Sequence, residues 1–366
     1  MIYSLPNHFK EAMWWEQRRD GSIVCKLCPR ECILYQDLSP GACGVRVRVG
    51  NKLYSAVYGV SSGWALDPIE KKPLFHFYPG SCAFSIGTIG CNLFCLHCQN
   101  WFISQARYKR GSLSPPISLD TLTPEEAVKL TKKNRCTSIA YTYNEPIVWY
   151  EYMLDTAKLA RKNGIKNVMI TNGYINDEPL RELVKYIDAA NVDLKGDENF
   201  YKRLTGTLHA PETILNAVTI MKEAGIHVEI TILVIPEWND SEEFFKWVAR
   251  WIIDNFGPES IPLHISRFFP NYMLRSLPPT PIRTLEKARQ IVLKEGLKYV
   301  YVGNIPGHEG EHTYCPNCGK PVIKREGFMI REWRLDENNR CAFCGYKINI
   351  VGELRIEKSW LYYHLF

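Results

Sequence analysis

Two rhythms of apolar residues take turns along most of this chain. Short apolar runs such as "AFSIGTI" (83–89), "TSIAYTY" and "KNVMITNG" read as buried strands. Between them lie longer stretches with apolar residues every three to four positions: "TPEEAVKLTKKNR", "VWYEYMLDTAKLARKNG", "DEPLRELVKYI" and "APETILNAVTIMKEAG". That spacing predicts amphipathic helices. Their ends carry chemical signals as well. Thr123 is placed to cap the first helix, Pro124 suits its first position, and Gly164 closes the second. The alternation continues through "AANVDLKG", "HVEITILVIP", "DSEEFFKWVARWIIDNFG", "IPLHISRFF", "TLEKARQIVLKEG" and "KYVYVGN". Repeated βα units of this length predict a parallel sheet with helices outside, either doubly wound or curled into a full or partial barrel. In such sheets the carboxyl ends of the strands carry the chemistry. Those ends hold Gly90 with a cysteine loop, Asn144-Glu145, Thr171-Asn172, Asp193 and Lys195, Pro236, and His264 to Arg267.

The pattern differs at both ends. We expect a Cys-rich N-terminal metal-binding unit over 1–80, the βα core over 81–303, and a separate C-terminal unit over 304–366. In the first, "VRVRVGNKLYSAVYG" predicts a hairpin around Gly50-Asn51, and the Pro-rich "DPIEKKPLFHFYPG" reads as a connecting loop.

Composition narrows the classes. Apolar residues make up 46% of the 366 and charged residues 23%, enough for a large core. The formal charge of +6 is spread along the chain with no dense Lys/Arg face, which argues against nucleic acid. No apolar run reaches membrane-spanning length. The start, "MIYSLPNHFKEAMWWEQRRD", has charges where a signal peptide needs an apolar core, so a cytoplasmic protein is expected. In a reducing compartment, thirteen cysteines read better as metal ligands than as disulfides.

Eleven of them fall into three groups. Cys315, Cys318, Cys341 and Cys344 form two C-x2-C knuckles, each followed by glycine. Four thiolates in that pattern suit a zinc ribbon, with a rubredoxin-like iron site as the alternative. Cys25, Cys28, Cys32 and Cys43 also supply four thiolates, for zinc or an iron–sulfur cluster. Cys91, Cys95 and Cys98 are three, spaced C-x3-C-x2-C. Three thiolates can hold a [4Fe–4S] cube with one iron open to an outside ligand. Zinc with a distant fourth ligand such as His97, or plain loop thiols, are the alternatives. Cys82 and Cys136 stand apart and are expected as packing thiols.

"CNLFCLHC" resembles the cluster signature of the radical S-adenosylmethionine (radical SAM) enzymes. Tyr143-Asn144-Glu145-Pro146 resembles their Gly-Gly-Glu position. "TNG" (171–173), "DLK" (193–195) and "VIPEWNDS" (234–241) resemble segments of glycyl-radical activases such as pyruvate formate-lyase activating enzyme. The first eighty residues and "YVGNIPGHEGEHTYCPNCG" look like the AmmeMemoRadiSam-system subgroup. The resemblance implies a partial (β/α)6 TIM-like radical SAM barrel flanked by the Cys-rich N-terminal and zinc-ribbon-like C-terminal units. It implies a [4Fe–4S] cluster on Cys91, Cys95 and Cys98, with SAM at the open iron and Zn2+ at one or two four-cysteine sites. Asn144 and Glu145 would lie near the methionine amino group. Thr171, Asn172, Asp193 and Lys195 would surround the SAM carboxylate and ribose, and His264 and Arg267 the adenosine side. The implied activity is reductive cleavage of SAM to a 5′-deoxyadenosyl radical that abstracts hydrogen from a protein or small-molecule substrate. The implied partners are a flavodoxin- or ferredoxin-type electron donor and an AMMECR1-like or Memo-like protein. The competing reading is a non-catalytic Fe–S electron-transfer or scaffold protein. Two positions depart from the pattern. His97 stands where an aromatic residue is usual, and Ile170 where the activases have an acid.

Overall fold

Val, Ile and Ala fill the strand-forming runs on both faces, and such strands are stable only when covered on both sides. The computed structural model, which describes residues 6–109 and 112–356, shows them so covered. They form one eight-stranded sheet in sequential order. The strands are β1 (Gly63–Pro68), β2 (Cys82–Gly87), β3 (Ser138–Tyr141), β4 (Lys166–Thr171), β5 (Ala189–Asp193), β6 (His227–Val234), β7 (Leu263–Arg267) and β8 (Val300–Gly303). From β2 to β8 all neighbours are parallel, and β1 joins β2 antiparallel as an edge. The helices between successive parallel strands are α1 (Pro124–Lys133), α2 (Tyr150–Lys162), α3 (Asp177–Leu183), α4 (Ala210–Glu223), α5 (Glu242–Phe256) and α6 (Ile282–Glu295). This is the α/β architecture expected from the alternating pattern. Its sheet is open, with β1 and β8 as edges.

Local signals act as anticipated. Thr123 Oγ1 accepts the Glu126 N–H at 3.2 Å, and the Glu126 carboxylate accepts the Thr123 N–H at 2.8 Å, a reciprocal cap on α1. The predicted hairpin forms from Arg46–Val49 and Lys52–Ser55. The C-terminal unit builds a small antiparallel sheet from Thr313–Tyr314, Pro321–Glu326 and Met329–Trp333. Residues 1–5 of the expected N-terminal unit and 357–366 of the expected C-terminal one lie outside the described residues.

One expectation is corrected. Cys82 and Cys136 are joined in a disulfide rather than packed as free thiols. The parallel register pairs Ala83 with Ser138, and Thr137 N–H donates to Cys82 O, which brings Cys136 beside the first residue of β2. The Pro-rich segment connects β1 to β2, and it is buried as a plug. Leu74, His76 and Phe77 are almost wholly inaccessible. Backbone groups can be buried only if they are paired. Here the Glu229 carboxylate on β6 accepts the N–H groups of Phe75 (3.0 Å) and His76 (2.7 Å). Arg325 of the C-terminal unit donates to Phe75 O at 3.0 Å and lies over the Phe75 ring.

Candidate active site

β2 delivers the chain through Thr88 and Gly90 into Cys91. Gly90 has φ +88°, and a Cβ there would come within 2.7 Å of Cys43 O. Only glycine allows both the backbone conformation and that approach. Asn144, just past β3, fixes the entry to the loop. Its Oδ1 accepts the Thr88 N–H at 3.0 Å and its Nδ2 donates to Gly90 O at 2.9 Å. The loop is pinned again where Phe94 and Leu96 N–H donate to Thr205 O and Leu204 O. A short helical turn, Trp101–Ser104, then places Ser104 Oγ 3.3 Å from Cys98 Sγ.

Cys95 is buried, and Cys91 and Cys98 are partly exposed. Cys91 Sγ accepts the Leu93 N–H at 3.4 Å and lies 3.9 Å from Asn172 Nδ2. Burial pushes the Cys95 thiol up to about 12, with the Lys195 ammonium pulling the other way. Burial, then the Glu145 carboxylate and the other two thiols, lifts Cys91 as well.

Glu145 follows Asn144 and is buried. Its Oε1 accepts from Thr171 Oγ1 (2.7 Å) and the Ile147 N–H (3.1 Å), and its Oε2 from the Asn172 N–H (2.8 Å). Burial raises its pKa to about 7 against these donors. Asn172 in turn donates to Asn92 Oδ1 at 2.8 Å, inside the cysteine loop. The ends of β2, β3 and β4 are thereby locked into one polar cluster beside Cys91. At the end of β5, Lys195 Nζ lies 2.8 Å from Asp193 Oδ2, and the Lys195 N–H donates to Tyr201 Oη. Burial opposes the Lys195 ammonium, but Asp193 and the Cys95 thiol more than offset it and hold its pKa above the ordinary value.

The structure thus brings together Cys91, Cys95, Cys98, Asn144, Glu145, Thr171, Asn172, Asp193 and Lys195. His264 stands elsewhere. It is the second residue of β7, its Nε2 lies 2.6 Å from Glu229 Oε2, and its ring meets Phe75 and Tyr301. Arg267 ends β7, but its Nε donates to Thr280 O and its guanidinium lies over Phe269. His97 is buried and neutral, its pKa lowered to about 3 by burial and Lys195, and its ring packs edge-on against Phe200. It fills the aromatic position as a ring. Residue-level reading missed Asn92, Tyr201 and Asn239, which position the loop and Lys195. The adjacency of Asn92 to Cys91 and the place of Asn239 within "VIPEWNDS" were the available signals.

The donor set can be tested against a cluster. Three thiols on one short loop, N–H donors at Cys91 and no fourth cysteine in that loop suit a [4Fe–4S] centre with one open iron. They are not gathered as for a single ion. Among the described residues, the one group of three or more ligand atoms mutually within 4.8 Å is Cys315, Cys318, Cys341 and Cys344. Cys25, Cys28, Cys32 and Cys43 line a cavity next to the cysteine loop.

The Radical SAM superfamily pattern matches residues 85–248, from β2 into α5. An uncharacterized protein of Methanocaldococcus jannaschii is 47% identical over 345 residues, covering 93% of this chain and 99% of that protein. The chain belongs to the radical SAM superfamily. Membership implies a [4Fe–4S] cluster and SAM as cofactors. More distantly, this radical SAM chain resembles the pyruvate formate-lyase-activating enzyme of Clostridium pasteurianum, at 25% identity over 185 residues, 48% of this chain and 71% of that enzyme. A crystal structure of a domain of pyruvate-formate lyase-activating enzyme from Bacteroides vulgatus overlaps 46% of this chain and 99% of that domain, with 19% identity and a TM-score of 0.40. Among the described residues, no helix is long and apolar enough to cross a membrane.

Proposed function

We propose that this radical SAM protein holds its cluster on Cys91, Cys95 and Cys98, binds SAM at the open iron, and abstracts hydrogen from a substrate. The observation that carries the reading is the buried polar cluster Glu145–Thr171–Asn172, which lies directly against Cys91. The chemistry supplied by a bound cluster and SAM is one-electron cleavage of the sulfonium, giving methionine and a 5′-deoxyadenosyl radical. The chain's own groups do the rest. Glu145 Oε2 accepts one hydrogen bond, from the Asn172 N–H, and keeps a lone pair for the methionine ammonium. Lys195, charged and largely buried beside Cys95, is a donor for the methionine carboxylate. Asn172 Nδ2 points a donor at the Cys91 sulfur, and such contacts tune cluster potential. Burial excludes water from a reactive intermediate. Asn144 positions the loop, since its amide is spent on Thr88 and Gly90.

The likeness to activating enzymes favours a backbone glycine of a partner protein as the hydrogen donor. The AmmeMemoRadiSam resemblance nominates an AMMECR1-like or Memo-like protein as that partner, and a flavodoxin or ferredoxin would supply the electron. The test is anaerobic reconstitution followed by SAM and a strong reductant. The expected products are 5′-deoxyadenosine and methionine. An intact cluster that yields neither, with no spectral change on adding SAM, would leave an electron carrier instead. Deuterium transfer from labelled candidate partners into 5′-deoxyadenosine identifies the substrate.

A further inference from the structure

The two four-cysteine groups have different shapes. At the C-terminal group, Cys315 Sγ lies 3.6 Å from Cys344 Sγ, and Cys318 Sγ lies 3.8 Å from Cys341 Sγ. A tetrahedral ion with metal–sulfur bonds of about 2.3 Å sets its sulfurs about 3.8 Å apart. That group is already drawn to the size of a single ion. The N-terminal four are not so gathered, and among the described residues they form no such close set. They stand around a cavity instead. Sulfurs spread round a space, rather than drawn to single-ion distances, suit a body larger than one atom.

The walls suit a charged inorganic body. Arg46 lines the cavity and is 2% exposed. Its Nη1 pairs with Glu151 at 2.9 Å, and its Nη2 donates to Met13 O. Its Nε is buried and, among the described residues, finds no hydrogen-bond partner. An unpaired guanidinium N–H is costly unless an acceptor fills the space. The Ala42 N–H already donates to Cys32 Sγ at 3.2 Å, as N–H groups do to cluster thiolates. Asn92, the residue after Cys91, forms part of the same wall, and Cys43 O presses on Gly90.

We propose that Cys25, Cys28, Cys32 and Cys43 bind a second [4Fe–4S] cluster, closed by four protein thiolates, with Arg46 Nε donating to its sulfur. With every iron ligated by protein it has no open position, so it serves electron transfer next to the Cys91 loop. This last point rests on the proposed function. The test uses the full chain carrying Cys91→Ala, Cys95→Ala and Cys98→Ala together, reconstituted anaerobically. Iron, inorganic sulfide and zinc are counted, and the reduced protein is examined by electron paramagnetic resonance and Mössbauer spectroscopy. About four iron and four sulfide per chain are expected, lost again when Cys28→Ser and Cys32→Ser are added. A folded triple variant with zinc at these cysteines, with a single iron free of sulfide, or with no metal there overturns the proposal. Wild type should hold about four iron more than the triple variant. Equal iron in the two would sink the Cys91 reading and leave this one standing.

Discussion

Glu145→Gln separates a site role for this carboxylate from a purely structural one. Glu145 receives three donors, the Thr171 hydroxyl and the Ile147 and Asn172 N–H groups. A glutamine keeps one acceptor oxygen. With that oxygen toward Thr171 and Ile147, its NH2 faces the Asn172 N–H, and one buried donor is left unpaired. Such a loss costs about 1–3 kcal/mol. The alternative flip strands the Ile147 N–H instead and is no cheaper. The strain falls on Asn172, whose side chain bridges to Asn92 and approaches Cys91 Sγ. If it is felt fully in SAM binding, affinity falls roughly 5- to 150-fold. Loss of the negative partner for the methionine ammonium pushes the same way. The assay is equilibrium SAM binding to the reconstituted holoprotein, with 5′-deoxyadenosine yield alongside and iron content as a control. Unchanged affinity and yield, in a variant with normal iron, would refute the placement of SAM against Glu145.

Glu229→Gln should act on stability instead. Four donors converge on this buried carboxylate: the Phe75 and His76 N–H groups, and the rings of His227 and His264. Losing one acceptor oxygen strands one backbone N–H, while the facing His ring can change tautomer and accept from the new amide, so the cost is about 1–3 kcal/mol, read as a lowered denaturation midpoint with SAM cleavage kept in the protein that remains folded. Burial opposes the Glu229 carboxylate, yet the hydrogen bonds from His227 and His264 outweigh it and hold its pKa well below the ordinary value. The unfolded chain then takes up a proton first, so the stabilisation present above the ordinary carboxylate range is lost as pH falls, and pH-dependent melting of Glu229→Gln should show a shallower acid limb. Cys318→Ala with Cys341→Ala should release about one metal ion per chain and open residues 313–350 to protease, while iron at the other groups stays. Thr123→Ala removes the α1 cap and should cost about 0.5–2 kcal/mol in denaturant unfolding, with no change in SAM cleavage.

Periodicity made the sheet and its helices legible, because buried strands and amphipathic helices leave local marks. The site was legible where a polar residue broke an apolar run at a strand end, as at Glu145, Asn172 and Lys195. It was misread where register decides. "IPLHISRFF" places His264 near a strand end by eye, but pairing with Thr231 and Tyr301 sets it inside the sheet, facing Glu229. Glu229 itself hides within "HVEITILVIP", and its partners Phe75 and His76 lie more than 150 residues away in sequence. For the same reason nothing local marked the connecting segment as buried. Cys82 and Cys136 are 54 residues apart and meet only because β2 and β3 are neighbours. Spacing marked the cysteine groups as candidates but not how far apart the folded backbone holds their sulfurs.

Phe75 and His76 stopper the sheet from the side of Glu229 and His264, away from the cysteine loop, and Arg325 bolts the stopper to the C-terminal unit. On the proposed function, SAM and substrate would both meet the strand ends where Cys91 and Lys195 sit, and the plug ties down the opposite end of the same sheet.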